Sequence, residues 1–235
     1  MDTVCTPQKK YIYNKYFNDD LGFGKDKPLA VDLLQKTINI LDQFKIEYML
    51  ISGTLLGYAR HNDFIPWDDD IDLLVDPSLI DKLPDILKKY NNTDDNTTEF
   101  SFLNIDNYLV KICFKDSKHI ISDKGIAENL INKNDKYTWP FVDLFVFNYR
   151  HDKNCLGFFK KTWDIKYFFP VKKITFLNIE NVSIPNNHNY FLKYNYGFNY
   201  MDRLISSSWN HKNEKDNANY GELTMNEYVI IKSKI

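Results

Sequence analysis

The segment that decides the fold reads PWDDDIDLLV at residues 66–75. Its apolar part, residues 71–75, has the length and composition of a buried strand that is entered through an acidic run. Alternate side chains of a strand share a face, so we expect Asp70 and Asp72 to project together. Carboxylates held side by side repel each other unless a cation lies between them. The segment therefore predicts a strand that carries a divalent-cation site.

A third carboxylate is predicted to join this pair. Asp143 stands alone in the apolar segment FVDLF, which predicts another buried strand. A buried charge is costly unless it is paired or bound to a metal. We therefore predict Asp70, Asp72 and Asp143 as catalytic residues and as ligands of Mg²⁺, or of Mn²⁺, because both ions favour oxygen ligands. Trp67 and Asp68 are predicted to support the loop before the strand.

The acidic run has a simpler explanation, which is a solvated turn that caps a helix. Isolated Asp-x-Asp pairs are common, and this explanation would suit a pair without further context. Four Asp within five residues, another Asp on a separate strand and a preceding strand–turn–helix unit favour metal binding instead. A calcium loop of the EF-hand type fits poorly, because the glycine and the distal glutamate of that loop are missing.

A strand–turn–helix unit lies just upstream of the acidic segment. Residues 48–51 predict a buried strand, and the turn Ser52-Gly53 opens a short helix over residues 54–60. Backbone N–H groups at a helix start suit a phosphate, so Ser52, Gly53 and Thr54 are predicted to bind one. An ordinary strand-to-helix turn is the alternative. The segment is not a P-loop, because no Gly-Lys-Ser/Thr follows.

The remaining pattern interleaves helices and strands without a regular βαβ repeat, which indicates an α+β fold with a mixed sheet. Pro28 begins a helical pattern, and residues 78–90 predict a helix that Pro84 splits or restarts. Residues 91–98 are polar and rich in turn formers, so they predict a mobile loop. The other predictions are an irregular lead-in over 1–27, a hairpin over 100–114, an aromatic-rich helix over 153–169, a second hairpin over 174–184, a helix over 186–201 and a last helix or strand over 222–232.

Composition limits the partners and the compartment. A chain of 235 residues that is 43% hydrophobic can bury a proper core as one domain. Its net charge of −2 gives no support for a nucleic-acid partner. Three widely spaced cysteines predict a reducing compartment, and neither a signal peptide nor a membrane-spanning run is visible. We therefore expect a soluble, cytoplasmic protein without a transmembrane segment, of undetermined oligomeric state.

A longer string gives a specific resemblance. Residues 53–72 read GTLLGYARHNDFIPWDDDID, and a Ser-Gly turn on a helix, Asp-hydrophobic-Asp on one strand and a further strand Asp are typical of the nucleotidyltransferase fold. The string resembles the LicD family, the phosphocholine transferases related to fukutin and fukutin-related protein. The resemblance continues around Asp143 and in IPNN, YFL and YG between residues 184 and 197. One departure is visible, since the family usually has glycine where Asp63 stands.

The resemblance implies a fold and a reaction. It implies a nucleotidyltransferase-like mixed sheet flanked by helices, with a helical C-terminal part. The catalytic domain would cover residues 28–201, after the lead-in, and 202–235 would extend the same domain. Family members move a phosphorylated alcohol, such as phosphocholine or ribitol phosphate, from a CDP-linked donor to a sugar hydroxyl of a glycan, and they release CMP.

The resemblance also implies roles for individual residues. Carried over by position, Asp70 and Asp72 would hold the metal that bridges the donor diphosphate, and Asp143 would complete that site or take the acceptor proton. Arg60 would bind a donor phosphate or serve only as a positive charge at a helix C-terminus. Lys111 would reach the same phosphate or lie at the sheet edge with its ammonium in solvent. The histidines show no ligand spacing.

Three other functions would use the same residues. A nucleotidyltransferase that attaches NMP to a small acceptor would need the same metal site, and product analysis alone separates the two reactions. A metal-dependent glycosyltransferase also carries Asp-x-Asp, although the third Asp and the Ser-Gly helix start speak against it. A catalytically inactive nucleotide-binding module is the remaining alternative, and it is disfavoured because all three carboxylates are intact.

Overall fold

Helices and short strands alternate along the computed structural model, which describes residues 4–90, 99–121, 128–150, 153–206, 209–216 and 219–235. The helices are α1 (Pro7–Tyr16), α2 (Lys27–Gln43), α3 (Ser52–His61), α4 (Ser78–Tyr90), α5 (His188–Tyr196) and α6 (Met225–Lys232), with 3₁₀ turns at Gly24–Asp26 and Ile165–Tyr167. The strands of the first half are β1 (Tyr48–Leu50), β2 (Ile71–Val75), β3 (Phe100–Ile105), β4 (Leu109–Phe114), β5 (His119–Ile120), β6 (Thr138–Trp139), β7 (Phe141–Val146) and β8 (Asn148–Arg150). Those of the second half are β9 (Cys155–Phe158), β10 (Lys161–Asp164), β11 (Lys172–Phe176), β12 (Ile179–Ile184), β13 (Arg203–Ile205), β14 (Trp209–Asn210), β15 (Lys215–Asp216) and β16 (Glu222–Thr224).

A five-stranded mixed sheet lies at the centre of the fold, in the order β1-β2-β7-β4-β3. β2 and β7 are parallel, whereas the other neighbours in the sheet are antiparallel. Every residue of β1, β2 and β4 is buried, which explains why these strands read as apolar runs rather than as alternating patterns. The predicted α+β class with a mixed sheet is confirmed.

The helix α2 covers the sheet with one apolar face. Pro28 lies in its first turn, as predicted, because proline needs no N–H partner there. Leu33, Leu34, Ile38 and Leu41 recur at helical spacing and are all buried, and the helix contacts β4 and β7. The packing fixes the two strands that carry Lys111 and Asp143.

The predicted aromatic-rich helix over 153–169 is wrong. The segment contains β9 and β10, which form a three-stranded antiparallel sheet with β8. Phe159 and Lys160, both with positive φ (50° and 58°), make the turn between β9 and β10. Phe158 and Trp163 stack with a ring-centroid distance of 5.6 Å and are buried. Ring packing onto the core therefore overrides the apparent helical spacing.

The predicted irregular lead-in is also wrong, because it contains α1. The Thr6 hydroxyl accepts a hydrogen bond from the Lys9 N–H at 3.3 Å and caps this helix, and Pro7 follows in the first turn. After the helix, the ring of Phe17 packs edge-on against Trp67, with centroids 4.7 Å apart. The N-terminal segment thereby supports the loop before β2.

The other sequence predictions have mixed outcomes. Both hairpins are confirmed, as β3–β4 and β11–β12. Pro84 lies inside an unbroken α4, so the expected split does not occur. The last segment contains both of the predicted alternatives, β16 followed by α6. The loop predicted at 91–98 lies outside the described residues.

Candidate active site

The turn between β1 and α3 holds the backbone of Asp72. The Ile51 N–H donates to the Asp72 carbonyl at 3.2 Å, and the Asp72 N–H donates to the Thr54 hydroxyl at 2.8 Å. Ser52, the first residue of α3, has a φ of 47°, which is uncommon for a residue with a side chain. Such a conformation costs free energy and persists only where the surrounding structure determines it. The hydrogen bonds to Asp72 therefore hold this turn in a conformation that local sequence disfavours.

Gly53 allows a carboxylate to approach the start of α3. A Cβ atom at this position would lie 2.4 Å from Oδ2 of Asp68, which is closer than any side chain tolerates. A side chain at this position would therefore displace the Asp68 carboxylate, which glycine allows to approach the start of the helix. The predicted phosphate ligands Ser52 and Gly53 and the predicted loop residue Asp68 therefore meet in one place.

Two predicted carboxylates occupy matching positions on neighbouring strands. Asp72 on β2 is the register partner of Asp143 on β7, and Asp143 is in turn opposite Lys111 on β4. The Lys111 ammonium lies 2.7 Å from Oδ1 and 2.9 Å from Oδ2 of Asp143, and 3.9 Å from the Glu214 carboxylate. Lys111 also lies 3.9 Å from the ring centroid of Phe141. Asp72, Asp143 and Lys111 thus form one row across the sheet, in which Asp143 and Lys111 are an ion pair.

A cavity of about 600 Å³ opens beside this row. Its acidic wall is formed by Asp68, Asp70 and Asp72, and Ser52 and Gly53 at the start of α3 also line it. The rest of the lining comes from the same segment and from the C-terminal part of the chain: Leu56, Arg60, Ile65, Trp67, Asn195, Tyr196, Gly197, Arg203, Ile205, Ser206 and His211. The cavity therefore brings together seven of the predicted site residues.

Burial and mutual repulsion disfavour the ionised state of the carboxylates in and beside the acidic wall. Burial raises the pKa of Asp72 well above its ordinary value, and the charges of Asp70, Asp143 and Asp68 raise it further. Burial likewise raises the pKa of Asp68, with Asp70 and Asp69 adding to the effect. The pKa of Asp143 is raised by burial too, although Lys111 opposes this change. The folded protein therefore disfavours the fully ionised form of these carboxylates.

The donor chemistry of the wall suits a hard divalent cation, because all of its charged ligands are carboxylate oxygens. Within the described ranges, however, no three His, Cys, Asp or Glu side chains are arranged to hold a metal ion together. Lys111 already engages Asp143, so the predicted trio is not assembled as three ligands. The side chains that remain available are those of Asp70 and Asp72, with Asp68 beside them. Their metal binding stays a prediction.

Arg60 connects the cavity to the C-terminal part of the chain. Its guanidinium donates to the backbone carbonyls of Tyr200 and Arg203 at 3.0 and 3.1 Å, and to the ring of His61 at 3.0 Å. Burial lowers the pKa of Arg60 to about 10, so the side chain keeps its charge at neutral pH. Burial also lowers the pKa of His61 to about 4, which leaves that ring neutral as an acceptor. The cation thus positions the 200–203 segment at the cavity.

Two other predicted site residues have structural partners. Thr54 is buried and its hydroxyl accepts a hydrogen bond from the Asp72 N–H, so it contacts β2 and does not line the cavity. Trp67 is 6% exposed and packs against Phe17, His61 and Tyr228, as expected for a residue that supports the loop. Phosphate binding by Thr54 and by Lys111 stays a prediction.

Four residues that were not predicted as site residues also belong to the site or contact it. The His211 ring lies 3.3 Å from Oδ2 of Asp70, and the neighbouring backbone N–H groups of His211 and Lys212 donate to the buried Asp69 carboxylate. Burial and the charges of the acidic wall raise the pKa of Tyr196, which lines the same cavity. His211 and the acidic segment lie about 140 positions apart, so spacing carries no signal for this contact. Tyr196 had one signal, its place in the YG motif.

Asp63, the visible departure from the family pattern, has a local partner. Its carboxylate forms an ion pair with Lys27 and accepts a hydrogen bond from the Phe64 N–H at 2.7 Å. The preceding residue, Asn62, ends α3 in the left-handed conformation with a φ of 51°. The aspartate is thus accommodated at the edge of the loop, away from the acidic wall.

Comparison with known protein families gives one match over most of the chain. The nucleotidyltransferase domain described as LicD/FKTN/FKRP matches residues 45–187, which include α3, β2 and β7. No helix in the described part of the chain is long and apolar enough to cross a membrane.

Individual curated proteins match over shorter segments. Lipopolysaccharide cholinephosphotransferase LicD of Haemophilus influenzae is 56% identical over 43 residues, which cover 15% of this chain and 16% of that protein. Human ribitol 5-phosphate transferase FKRP is 50% identical over 75 residues, which cover 30% of this chain and 14% of that protein. An uncharacterized protein of Rickettsia prowazekii, RP689, is 42% identical over 50 residues, or 21% of this chain and 19% of that protein. The matches therefore span less than a fifth of the length of these relatives.

Proposed function

This chain belongs to the LicD/FKTN/FKRP nucleotidyltransferase-domain family, and we propose that it is a metal-dependent phosphotransferase. It would move a phospho-alcohol, such as phosphocholine or ribitol phosphate, from a CDP-linked donor to a sugar hydroxyl of a glycan and release CMP. The observation that carries the proposal is the acidic wall of Asp68, Asp70 and Asp72 facing a cavity at the start of α3. Two relatives are named for the transfer of cholinephosphate and of ribitol 5-phosphate, which supports the class of group transferred.

Asp70 and Asp72 would hold Mg²⁺, or Mn²⁺, in this cavity. When bound, the ion supplies neutralisation of charge on the donor diphosphate and on the departing CMP. The protein would contribute the position of these ligands, because Thr54 and Ile51 fix the backbone of Asp72. His211 would orient Asp70 from the opposite side. A hydrogen-bonded neighbour that fixes a metal ligand commonly tunes the affinity of the site.

The start of α3 would bind a donor phosphate. Backbone N–H groups at a helix N-terminus attract anions, and Ser52 and Gly53, the first two residues of α3, line the cavity. Arg60 also lines the cavity and would add positive charge toward the phosphate. The guanidinium of Arg203, another lining residue, is already paired with the Glu222 carboxylate at 2.9 Å. The left-handed conformation of Ser52 and the close approach permitted by Gly53 place these groups next to the acidic wall.

Asp143 would take the proton of the acceptor hydroxyl. Its carboxylate lies beside Asp72 in the row and is buried, and burial raises its pKa toward that of a usable base. A sugar hydroxyl ionises far above neutral pH, so such a base assists only as the proton leaves in the transition state. Lys111 would hold Asp143 in place and keep it charged. In an alternative assignment, Asp143 completes the metal site after Lys111 moves away.

Product analysis with labelled donors tests this function. The protein would be incubated with Mg²⁺, an acceptor glycan and CDP-choline, CDP-ribitol or CDP-glycerol labelled in the alcohol. Label in the glycan together with free CMP is the expected result. A cytidylylated acceptor with free alcohol phosphate would instead establish nucleotidyl transfer. Binding of the CDP-linked compound without any product would indicate an inactive nucleotide-binding module.

A pair of carboxylate variants connects the activity to the acidic wall. Asp72→Asn should lower turnover by roughly 10²-fold or more, because it removes a charged metal ligand that acts in the transition state. The matched control is Asp85→Asn, which changes an exposed carboxylate of α4. Steady-state rates of CMP release compare the two. Unchanged turnover in Asp72→Asn would remove the acidic wall from the mechanism.

A further inference from the structure

A second cavity, of about 550 Å³, lies between the end of β7 and the β9–β10 hairpin. Its walls are aromatic, and its charged lining residues are all basic. The lining residues are Tyr108, Phe145, Val146, Asn148, Arg150, Gly157, Phe158, Phe159, Lys160, Lys161 and Thr162. This charge pattern is the reverse of the acidic wall in the catalytic cavity, although the whole chain has a net charge of −2.

Phe145, which lines the second cavity, lies on the same face of the sheet as the catalytic row. Phe145 follows Asp143 by two positions on β7, and alternate residues of a strand share a face. Phe145 is opposite Leu109 on β4, just as Asp143 is opposite Lys111. Two residues of a strand span about 7 Å, so the aromatic wall begins one row of side chains from the proposed base. A sugar chain that reaches Asp143 could extend over this distance.

The two cavities share a bridge of two side chains. The Lys161 ammonium, which lines the second cavity, donates to Oδ1 of Asn195 at 3.2 Å, and Asn195 lines the catalytic cavity. Lys161 also lies 5.0 Å from the ring centroid of Tyr194, which is 59% exposed. The surface between the cavities is therefore polar and aromatic. Both kinds of group are suited to a sugar, which offers hydroxyl groups on its edge and an apolar ring face.

The turn that forms the rim of this cavity is not one that local sequence favours. Phe159 and Lys160 both adopt left-handed backbone conformations, where two-residue hairpins usually have Asn or Gly. The Phe159 ring is 43% exposed and lies edge-on to Phe145, with centroids 4.6 Å apart. A bulky residue held in this conformation is unusual, and such outliers concentrate at functional sites.

The basic groups of the rim have no carboxylate partner within the part of the chain that the structure describes. Arg150, Lys160 and Lys161 are exposed, and none of them takes part in the ion pairs found there. Arginine occurs at only three positions in this sequence, and the other two, Arg60 and Arg203, line the catalytic cavity. Three cations without a carboxylate partner among the described residues, beside aromatic walls, are complementary to an anion that has an apolar face.

We propose that the second cavity is a distal acceptor subsite that binds an anionic sugar of the acceptor glycan. The sugar ring would stack on Phe145 and Phe159, and its phosphate or carboxylate would pair with Arg150, Lys160 and Lys161. The subsite rests on the proposed function, because it names the class of acceptor that the same active site would use. It makes a charged acceptor a better substrate than its neutral counterpart.

Direct titration tests the subsite independently of catalysis. The probes are maltotriose, maltotriose carrying a phosphate on a terminal 6-hydroxyl, and inorganic phosphate, each titrated calorimetrically without donor. The phosphorylated trisaccharide should bind about tenfold more tightly than either of the others, because both the ring and the charge are recognised. Arg150→Gln/Lys160→Gln should abolish this preference. The matched control, Lys88→Gln/Lys133→Gln, removes two exposed charges that line neither cavity and should retain it.

Kinetics separate the subsite from the proposed reaction. In the double variant, the KM for a phosphorylated acceptor should rise about tenfold, with kcat and acceptor-independent CMP release unchanged. Absence of CMP release in the native protein would refute the proposed function, while the titration would still decide the subsite. Equal affinity for the trisaccharide phosphate and inorganic phosphate, or an unchanged preference in the double variant, would overturn the subsite. A third outcome would also overturn the subsite. In that outcome the native protein binds phosphatidylglycerol vesicles but no sugar phosphate, and the double variant loses the vesicle binding.

Discussion

Asp72 and Asp143 are register partners on adjacent strands, but the protein balances their charges differently. Asp143 has a buried ammonium 2.7 Å from one of its oxygens, and Lys111 opposes the effect of burial on its pKa. Asp72 faces Asp70 and Asp68, whose like charges add to the effect of burial. The protein therefore provides the cation for one half of the row. It leaves the other half with negative charge that a bound cation would compensate.

Removing the Lys111 ammonium should leave Asp143, like Asp72, without a compensating charge. Lys111→Met should lower the free energy of unfolding by about 3–5 kcal/mol, because the change leaves the buried Asp143 charge without its partner. Urea denaturation at pH 7 measures the change. Lys111→Met/Asp143→Leu should recover most of the lost stability, since both charges are then absent. A Lys111→Met variant as stable as the native protein would show that the pair does not balance Asp143.

The pH dependence of the metal-free protein should reveal the unbalanced half. Burial raises the pKa of Asp69 to about 6, and the pKa values of Asp68 and Asp72 are also raised. Groups with a raised folded pKa bind protons more tightly in the native state, so stability falls as pH rises from their unfolded values near 4 through their folded values. We expect a loss on the order of 1–3 kcal/mol between pH 4 and pH 7.

Thermal unfolding in EDTA across this range measures the effect, and addition of Mg²⁺ at pH 7 should reverse it. In Asp72→Asn, lowering the pH from 7 to 4 should increase the stability less than in the native protein, because the amide does not titrate. The increase that remains would come from the other carboxylates. Stability that instead rises with pH in the native protein would mean that the carboxylates are already compensated within the fold.

A smaller effect should follow from loosening the backbone under the unbalanced half. Thr54→Val preserves the shape of the side chain but leaves the buried Asp72 N–H without its acceptor, at a cost of about 1–2 kcal/mol. The affinity for Mg²⁺ or Mn²⁺ should also fall in Thr54→Val, because the position of Asp72 is less well fixed. Thr175→Val, at an exposed position of β11 that lines neither cavity, is the control for the chemical change. Denaturation midpoints that do not differ between the two variants would argue against this role of Thr54.

The sequence predicts those parts of the site that depend on residues close together in the chain. Ile71–Val75 has the predicted bounds, because an apolar run after an acidic segment leaves few alternatives, and α3 begins at the Ser-Gly turn. Asp70 and Asp72 were predicted from strand alternation and mutual repulsion, and Asp143 from the cost of a lone charge on a buried strand. These inferences need no knowledge of the rest of the chain.

The remaining parts depend on contacts between distant segments. The segment 153–169 has aromatic residues at spacings that suit a helix, and only their packing onto Phe168 and Phe191 decides for strands. α1 has weak amphipathic character, with Tyr13 as its one buried residue, so the Thr6 and Pro7 signals were its only markers. The role of Lys111 as the partner of Asp143 follows from the strand order, which no local pattern reveals.

Titration of the metal-free protein with Mn²⁺, monitored by the loss of the free-ion paramagnetic resonance signal, tests the central claim most directly. The native protein should bind the ion at the acidic wall, and Mg²⁺ should compete for it. Asp72→Asn should weaken binding by at least about tenfold, because one of the two available charged ligands is lost. Asp85→Asn, with its exposed carboxylate, should bind as the native protein does. Equal affinities in the native protein and in Asp72→Asn would contradict the assignment of the acidic wall as the metal site.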